Sequence, residues 1–196
     1  MKTFPFSRAL TLALAGLVSG PVFVAAPPAM AIEASADIAS AIELHNAGRA
    51  GDTAATQQAI DVFTALMAAD PSNVEAIAYL GSSYALSARD SKAVVDKIRY
   101  TNRGLRFLDQ AVAAAPNDFT VRMIRGNVTA SLPAMFGRDA TTVEDFMALD
   151  QMFSAAQVPS MAPPMVGVYA QLVKLAPDMG DWQVKLTAAQ AMAAGQ

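Results

Sequence analysis

The chain contains no cysteine and a single histidine, His45. Without cysteine there can be no disulfide framework, no nucleophilic thiol and no thiolate metal site, and one imidazole does not make a zinc ligand set. A glycine-rich phosphate loop is also missing, and no group of residues has the spacing of a known catalytic set. The sequence therefore predicts a protein that is not an enzyme and that holds neither a cofactor nor a metal.

Aromatic residues are also scarce, at 7% of the 196 residues, and charged residues make up only 16%. Alanine, in contrast, is abundant, and long runs of β-branched residues are absent. Because alanine has the highest helix propensity of the natural residues, this composition predicts an all-α fold.

The N-terminus has the features of a secretory signal. Lys2 and Arg8 precede an apolar run over residues 9–26, and the motif "PPAMA" then ends at Ala31. Small residues on either side of a single position are what signal peptidase requires, so we expect residues 1–31 to be cleaved. A membrane anchor is the alternative, but glycine and proline interrupt the run. The expected product is an exported protein, periplasmic or secreted, whose mature chain does not span a membrane.

Charge is distributed unevenly along the chain. Between Arg89 and Arg138 there are nine basic and four acidic residues, whereas acidic residues predominate in the rest of the expected mature chain. This asymmetry favours an acidic protein or peptide partner. The acidic overall balance argues against nucleic acid, since phosphate binding needs a larger basic surface.

An internal repeat is visible at a constant offset of 45 residues. The matching pairs are Ala59/Gly104, Phe63/Leu108, Leu66/Ala111, Pro71/Pro116 and Gly81/Gly126. The same offset places Leu149 and Phe153 in a third helix. Since each matched segment has helical periodicity and ends at a proline, the pattern predicts repeated helix pairs.

Two motifs resemble the tetratricopeptide repeat. Ile77-x2-Leu80-Gly81-x2-Tyr84 is similar to its first helix, with isoleucine in place of tryptophan, and Ala59-x3-Phe63 is similar to its second. The resemblance implies a short solenoid of helical hairpins, with about three helix pairs over residues 32–157 and capping helices over residues 158–196. A HEAT-type array, whose repeats run to about 40–47 residues against 34 for the tetratricopeptide, remains the alternative.

The longer period predicts a long second helix over Ser91–Ala115, with one apolar face that includes Val94 and Ile98. A basic stripe edged by aromatic residues lies opposite this face and consists of Lys92, Arg99, Tyr100, Arg103, Arg106 and Phe107. The stripe is either a binding surface for an acidic partner or a solvated face whose aromatic residues pack on a neighbouring repeat.

A second candidate site follows from the resemblance. Arg122 and Arg125 occupy positions where the first helix of a tetratricopeptide repeat packs, and Asn127 falls where that helix lines the groove. Glu75 and Ser82 would face the groove from the preceding unit. The two arginines would either pair with Asp145 or Asp109, or clamp a carboxylate or phosphate.

The "GSS" stretch at Gly81–Ser83 does not indicate a nucleophile, because no strand precedes it and the second glycine of a nucleophile elbow is missing. In the tail, two closing helices are expected to cap the solenoid with a polar outer face, anchored by Trp182. The function predicted from the sequence is a protein- or peptide-binding scaffold of the cell envelope. The alternatives are a binding protein for a small anionic ligand and a structural homo-oligomer that buries Met-rich helices.

Overall fold

The computed structural model describes residues 28–156 and 158–195, with side chains from residue 38 onward. In this part of the chain the regular structure is entirely helical and consists of α1 (Pro28–Arg49), α2 (Thr53–Ala69), α3 (Val74–Asp90), α4 (Val94–Ala114), α5 (Phe119–Ala130), α6 (Asp139–Ala156), α7 (Ala162–Leu175) and α8 (Trp182–Ala194). The predicted apolar run over residues 9–26 lies outside the described residues. Across the described ranges, no helix has both the length and the apolar character needed to cross a membrane.

Consecutive helices form hairpins, which pair α1 with α2, α3 with α4, α5 with α6 and α7 with α8. The first helices of the three leading pairs also pack side by side, α1 on α3 and α3 on α5, and so form one continuous layer. The prediction of an all-α array of three helix pairs followed by closing helices is confirmed.

The 45-residue offset is visible in the helix boundaries. α3 begins after Asn73, whose side chain accepts a hydrogen bond from the Ala76 amide, and α5 begins after Asp118, which accepts one from the Val121 amide. Side-chain oxygens at this position satisfy amide groups that have no partner within the helix. The turns before both caps contain the matched prolines, Pro71 and Pro116. The repeat therefore defines equivalent helix starts in two successive units.

The same offset recurs in the core. Phe63 of α2 and Leu108 of α4 are both fully buried. α3 and α4 approach so closely that a Cβ atom added to Gly81 would lie 2.8 Å from the Gly104 carbonyl oxygen. One added to Gly104 would lie 2.6 Å from the Gly81 carbonyl oxygen. Glycine is needed at both positions because the two backbones are in contact there.

The long second helix differs from its prediction at its start. α4 begins at Val94 rather than at Ser91, which ends α3 as its C-cap. Val94 is 68% exposed and Ile98 is 39% exposed, so the expected buried face begins only further along the helix, at Thr101. The reason is that α5 has 12 residues against 17 in α3, so it ends before it can cover the first turns of α4. We call residues 94–98 the α4 overhang.

The closing pair is anchored as predicted. Trp182 is buried, and its indole Nε1 donates a hydrogen bond to the Ala176 carbonyl oxygen at 2.8 Å. The expected polar outer face is wrong, because α8 exposes Val184 and Met192 to solvent. The helix carries one charged residue, Lys185, which reaches inward to the buried Asp150 at 2.6 Å.

Candidate functional site

The layer of first helices lines an open cavity of about 980 Å³, which we call the groove. α1, α3 and α5 form its walls, and Lys97 and Thr101 of α4 join them. The connection from Ser131 to Phe136 closes one end. This is the concave surface that stacked helix pairs produce, and its size is at the upper end of the range for small-molecule sites.

The groove lining is positively charged. Its charged side chains are Arg49, Arg89 and Lys97, and its lining includes no carboxylate. Arg89 is held in place by Asp90 at 2.7 Å, and it donates to the carbonyl oxygen of Gly48 at the end of α1. Arg49 and Lys97 have no carboxylate partner among the described side chains. Two cations without an ion pair in the described chain therefore face this cavity, with Asp90 close enough to Lys97 for their charges to interact.

A buried polar pair forms part of the groove wall. His45 of α1 and Ser82 of α3 are joined by a hydrogen bond of 2.9 Å between Nε2 and Oγ. The imidazole ring meets Tyr79 edge-on at 5.1 Å, and Tyr79 stacks on Phe63 at 5.4 Å. Burial, reinforced by the nearby charge of Arg49, lowers the pKa of His45 to about 4. The ring is therefore neutral near pH 7.

The His45–Ser82 pair does not have the arrangement of a catalytic triad. The Nδ1 atom of His45 is buried without a hydrogen-bond partner, whereas a triad histidine is oriented by a carboxylate at that atom. Ser82 lies in the middle of α3 rather than on a turn. The pair links α1 to α3 and leaves one buried nitrogen unsatisfied beside the groove.

The structure brings together only some of the predicted groove residues. Ser82 and Asn127, which are 45 residues apart in the sequence, both line the groove. Glu75 lies in the first turn of α3 and is not part of the lining. Arg122 and Arg125 are also outside the lining.

Arg122 and Arg125 belong to a buried ion network between α5 and α6. Asp145 is fully buried and accepts from Arg122 at 2.7 Å and from Arg125 at 2.8 Å. Glu144 also contacts both arginines, and the hydrogen bond from Arg122 lowers the pKa of its carboxyl group. Asp109 joins the network through Arg125 at 3.2 Å. The ion-pair interpretation is the one observed, because neither guanidinium group faces the groove as an anion clamp.

The predicted basic stripe lies on α4 except for Lys92, which precedes the helix because α4 begins at Val94. Arg99 pairs with Asp96 at 2.9 Å and lies over the ring of Tyr100, while Arg103 lies over the ring of Tyr84 at 4.5 Å.

Tyr100 and Phe107 stack on Tyr84 and are half-buried in the core cluster between α2, α3 and α4. Lys92 and Arg106 are exposed and have no carboxylate partner in the described chain. The aromatic residues therefore serve the packing of this helix pair, and within the stripe the basic residues without a carboxylate partner in the described chain are Lys92, Arg103 and Arg106.

Sequence reasoning missed the cations that do face the groove. Arg49 precedes the region where the repeat is clearest, and Lys97 lies outside the arc of the basic stripe. A signal for the groove was nevertheless present, since Ser82 and Asn127 occupy equivalent positions in successive first helices. Extending that helix face back to α1 would have pointed to the turn that contains His45 and Arg49.

No protein-family model matches the chain, and no curated protein matches it. Among solved structures, the chain is similar to a thermophilic tetratricopeptide repeat protein from Thermus thermophilus, with 17% sequence identity and a TM-score of 0.48. The match covers 76% of this chain and 80% of that chain. A similarity at this level assigns neither a ligand nor a partner to this chain.

Proposed function

We propose that this protein is a non-enzymatic, tetratricopeptide-like scaffold that binds an acidic segment of a partner protein in the groove. The observation that carries the proposal is the charge of the lining, in which Arg49 and Lys97 form no ion pair with a described residue and no carboxylate is present. A groove with one sign of charge concentrates ligands of the opposite sign and orients them on approach.

The shape and the remaining lining favour a peptide over a compact ligand. The groove is open along several helices and offers apolar contacts from Phe119, Met123 and Phe136. The exposed amide and hydroxyl groups of Asn46, Thr120 and Asn127 in the lining can bind a peptide backbone. An extended segment can use the cations, the amides and the apolar surface together, whereas a small anion would use only part of them.

We also propose that the chain acts after export, in the periplasm or outside the cell. The positively charged start, the apolar run and the small residues around Met30 support this proposal. Mass spectrometry of the protein recovered from its native cells would test it. A mature N-terminus at Ile32 supports export, and an intact N-terminus contradicts it.

A displayed library of random peptides tests the binding proposal directly. Selection on the wild-type protein should enrich peptides rich in aspartate and glutamate. The Arg49→Glu variant should lose these peptides, because it places a carboxylate in the lining. Arg106→Glu is the matched control, since it makes the same charge change on an exposed residue outside the groove.

Enrichment without any acidic preference would contradict the proposal, and so would an equal loss of binding in Arg49→Glu and in Arg106→Glu. If Arg106→Glu alone removes binding, the binding surface is the basic stripe rather than the groove. A different outcome is that no peptide is enriched but one small anion raises the melting temperature of the wild type and not of Arg49→Glu. The groove would then be a site for a small anionic ligand rather than for a peptide.

A further inference from the structure

Two exposed apolar surfaces lie on different parts of the described chain. The first is the α4 overhang, where Val94, Val95 and Ile98 are 68%, 76% and 39% exposed. The second, which we call the α8 outer face, consists of Val184 and Met192 of α8 and of Met179 in the short 3-10 turn before it, at 69%, 40% and 58% exposure. Soluble proteins seldom leave large aliphatic side chains clustered on the surface unless another surface covers them.

The charges around these two surfaces are of opposite sign. Lys97 lies within the α4 overhang and Lys92 just before it, and neither forms an ion pair among the described residues. The carboxylate of the overhang, Asp96, is neutralised by its ion pair with Arg99. Asp178 and Asp181 are next to the α8 outer face and form no ion pair within the described chain. The free charges beside one apolar surface are therefore opposite in sign to those beside the other.

We propose that the protein associates with itself through a contact in which the α4 overhang of one copy packs on the α8 outer face of another. The contact covers both apolar surfaces and places lysines opposite aspartates. On the α8 side, Lys185 is the helix's one charged residue and is bonded inward to Asp150, and the two aspartates outnumber the exposed Lys174 at the end of α7. The proposal does not depend on the groove and would hold if the groove bound nothing.

A second copy fits these surfaces better than an anionic membrane does. A membrane could cover the α4 overhang, since lysines there would meet lipid phosphates. It would leave the α8 outer face exposed, and it would repel Asp178 and Asp181. A second copy satisfies both surfaces, either reciprocally in a closed dimer or in one direction along a chain of copies.

Analytical ultracentrifugation over a concentration series tests the contact, with circular dichroism to check that each variant is folded. The average mass of the wild type should rise with concentration. Lys92→Glu/Lys97→Glu should weaken association by about tenfold or more, because like charges then face each other. Asp178→Lys/Asp181→Lys should do the same, and the variant that combines all four changes should recover association. Arg106→Glu, an equal charge change on α4 away from the overhang, should leave the mass curve unchanged.

Three results would overturn the proposal. The first is a wild type that stays monomeric at every concentration. The second is a combined variant that associates no better than either double variant. The third is a monomeric wild type that binds vesicles of anionic phospholipid and loses this binding in Lys92→Glu/Lys97→Glu, which would assign the α4 overhang to a membrane surface.

Discussion

His45 shows at the residue scale how burial determines the behaviour of one group in this fold. Its ring lies between α1 and α3, bonded to Ser82 through one nitrogen and unsatisfied at the other. A neutral imidazole can occupy this site, but an imidazolium would bring an unpaired charge into it, next to Arg49. Protonation of His45 should therefore weaken the packing between α1 and α3.

We expect the stability of the protein to fall as the pH drops from about 6.5 towards 4. In this window His45 is protonated in the unfolded chain but remains neutral in the folded chain. Acid therefore favours unfolding by up to about 3 kcal/mol. Urea unfolding at pH 7 and pH 5 would measure this change. His45→Gln keeps a hydrogen-bonding side chain without a titrating ring, so its unfolding free energy should change less between the two pH values. An equal change in both proteins would contradict this role of His45.

The ion network between α5 and α6 allows a second residue-scale prediction, in which two adjacent carboxylates are compared. Asp145→Ala should destabilise the fold by about 3–5 kcal/mol, because it leaves two buried guanidinium groups without their shared partner. Glu144→Ala should cost at most about 1 kcal/mol, since that side chain is 62% exposed. If chemical denaturation showed the same loss of unfolding free energy in both variants, burial would not determine how much each carboxylate contributes.

At the scale of the elements, the closest helix contact is the one between α3 and α4. Gly81→Ala should destabilise the protein by about 1–3 kcal/mol, despite the better helix propensity of alanine, because the new methyl group would overlap the α4 backbone. Gly167→Ala is the matched control in α7, where an added Cβ meets nothing within 4 Å. That change should instead stabilise by about 0.5–1 kcal/mol. The melting temperature should therefore fall in Gly81→Ala and rise in Gly167→Ala.

The helices could be predicted from the sequence because their causes are local. The matched prolines, the buried positions equivalent to Phe63 and the close approach at Gly81 all follow from periodicity and residue size. The start of α4 could not be predicted in the same way. Its apolar face continues to Val94, but burial there depends on the length of α5, a different element with no periodic signal of its own.

The candidate site depends on the whole molecule, so the sequence located it only in part. Ser82 and Asn127 were identified because the repeat places them on equivalent helix faces. Arg122 was assigned to the same groove as one of two alternatives, but the structure places its guanidinium group beside Asp145. A one-dimensional pattern shows that an arginine lies at a packing position; it does not show whether a carboxylate from the next helix will meet it.

The assembled array presents three surfaces with different roles in this account. The groove offers positive charge and a concave shape, and it is the proposed partner site. The α4 overhang and the α8 outer face are proposed to join copies of the chain. Lys97 belongs both to the groove lining and to the α4 overhang, so a change at Lys97 should affect both proposals. Arg49→Glu in the groove and Asp178→Lys/Asp181→Lys beside α8 are the variants that separate them.

Site-specific photo-crosslinking in native cells can show whether a partner protein binds in the groove. A photoreactive residue would replace Asn127, which lies in the groove, or Gln110, an exposed position of α4 outside it. The photoreactive residue at position 127 should capture one defined protein through an acidic segment. The residue at position 110 should not capture that protein. Adducts that are the same from both positions, or a capture at Gln110 alone, would contradict the claim that the groove is the binding site.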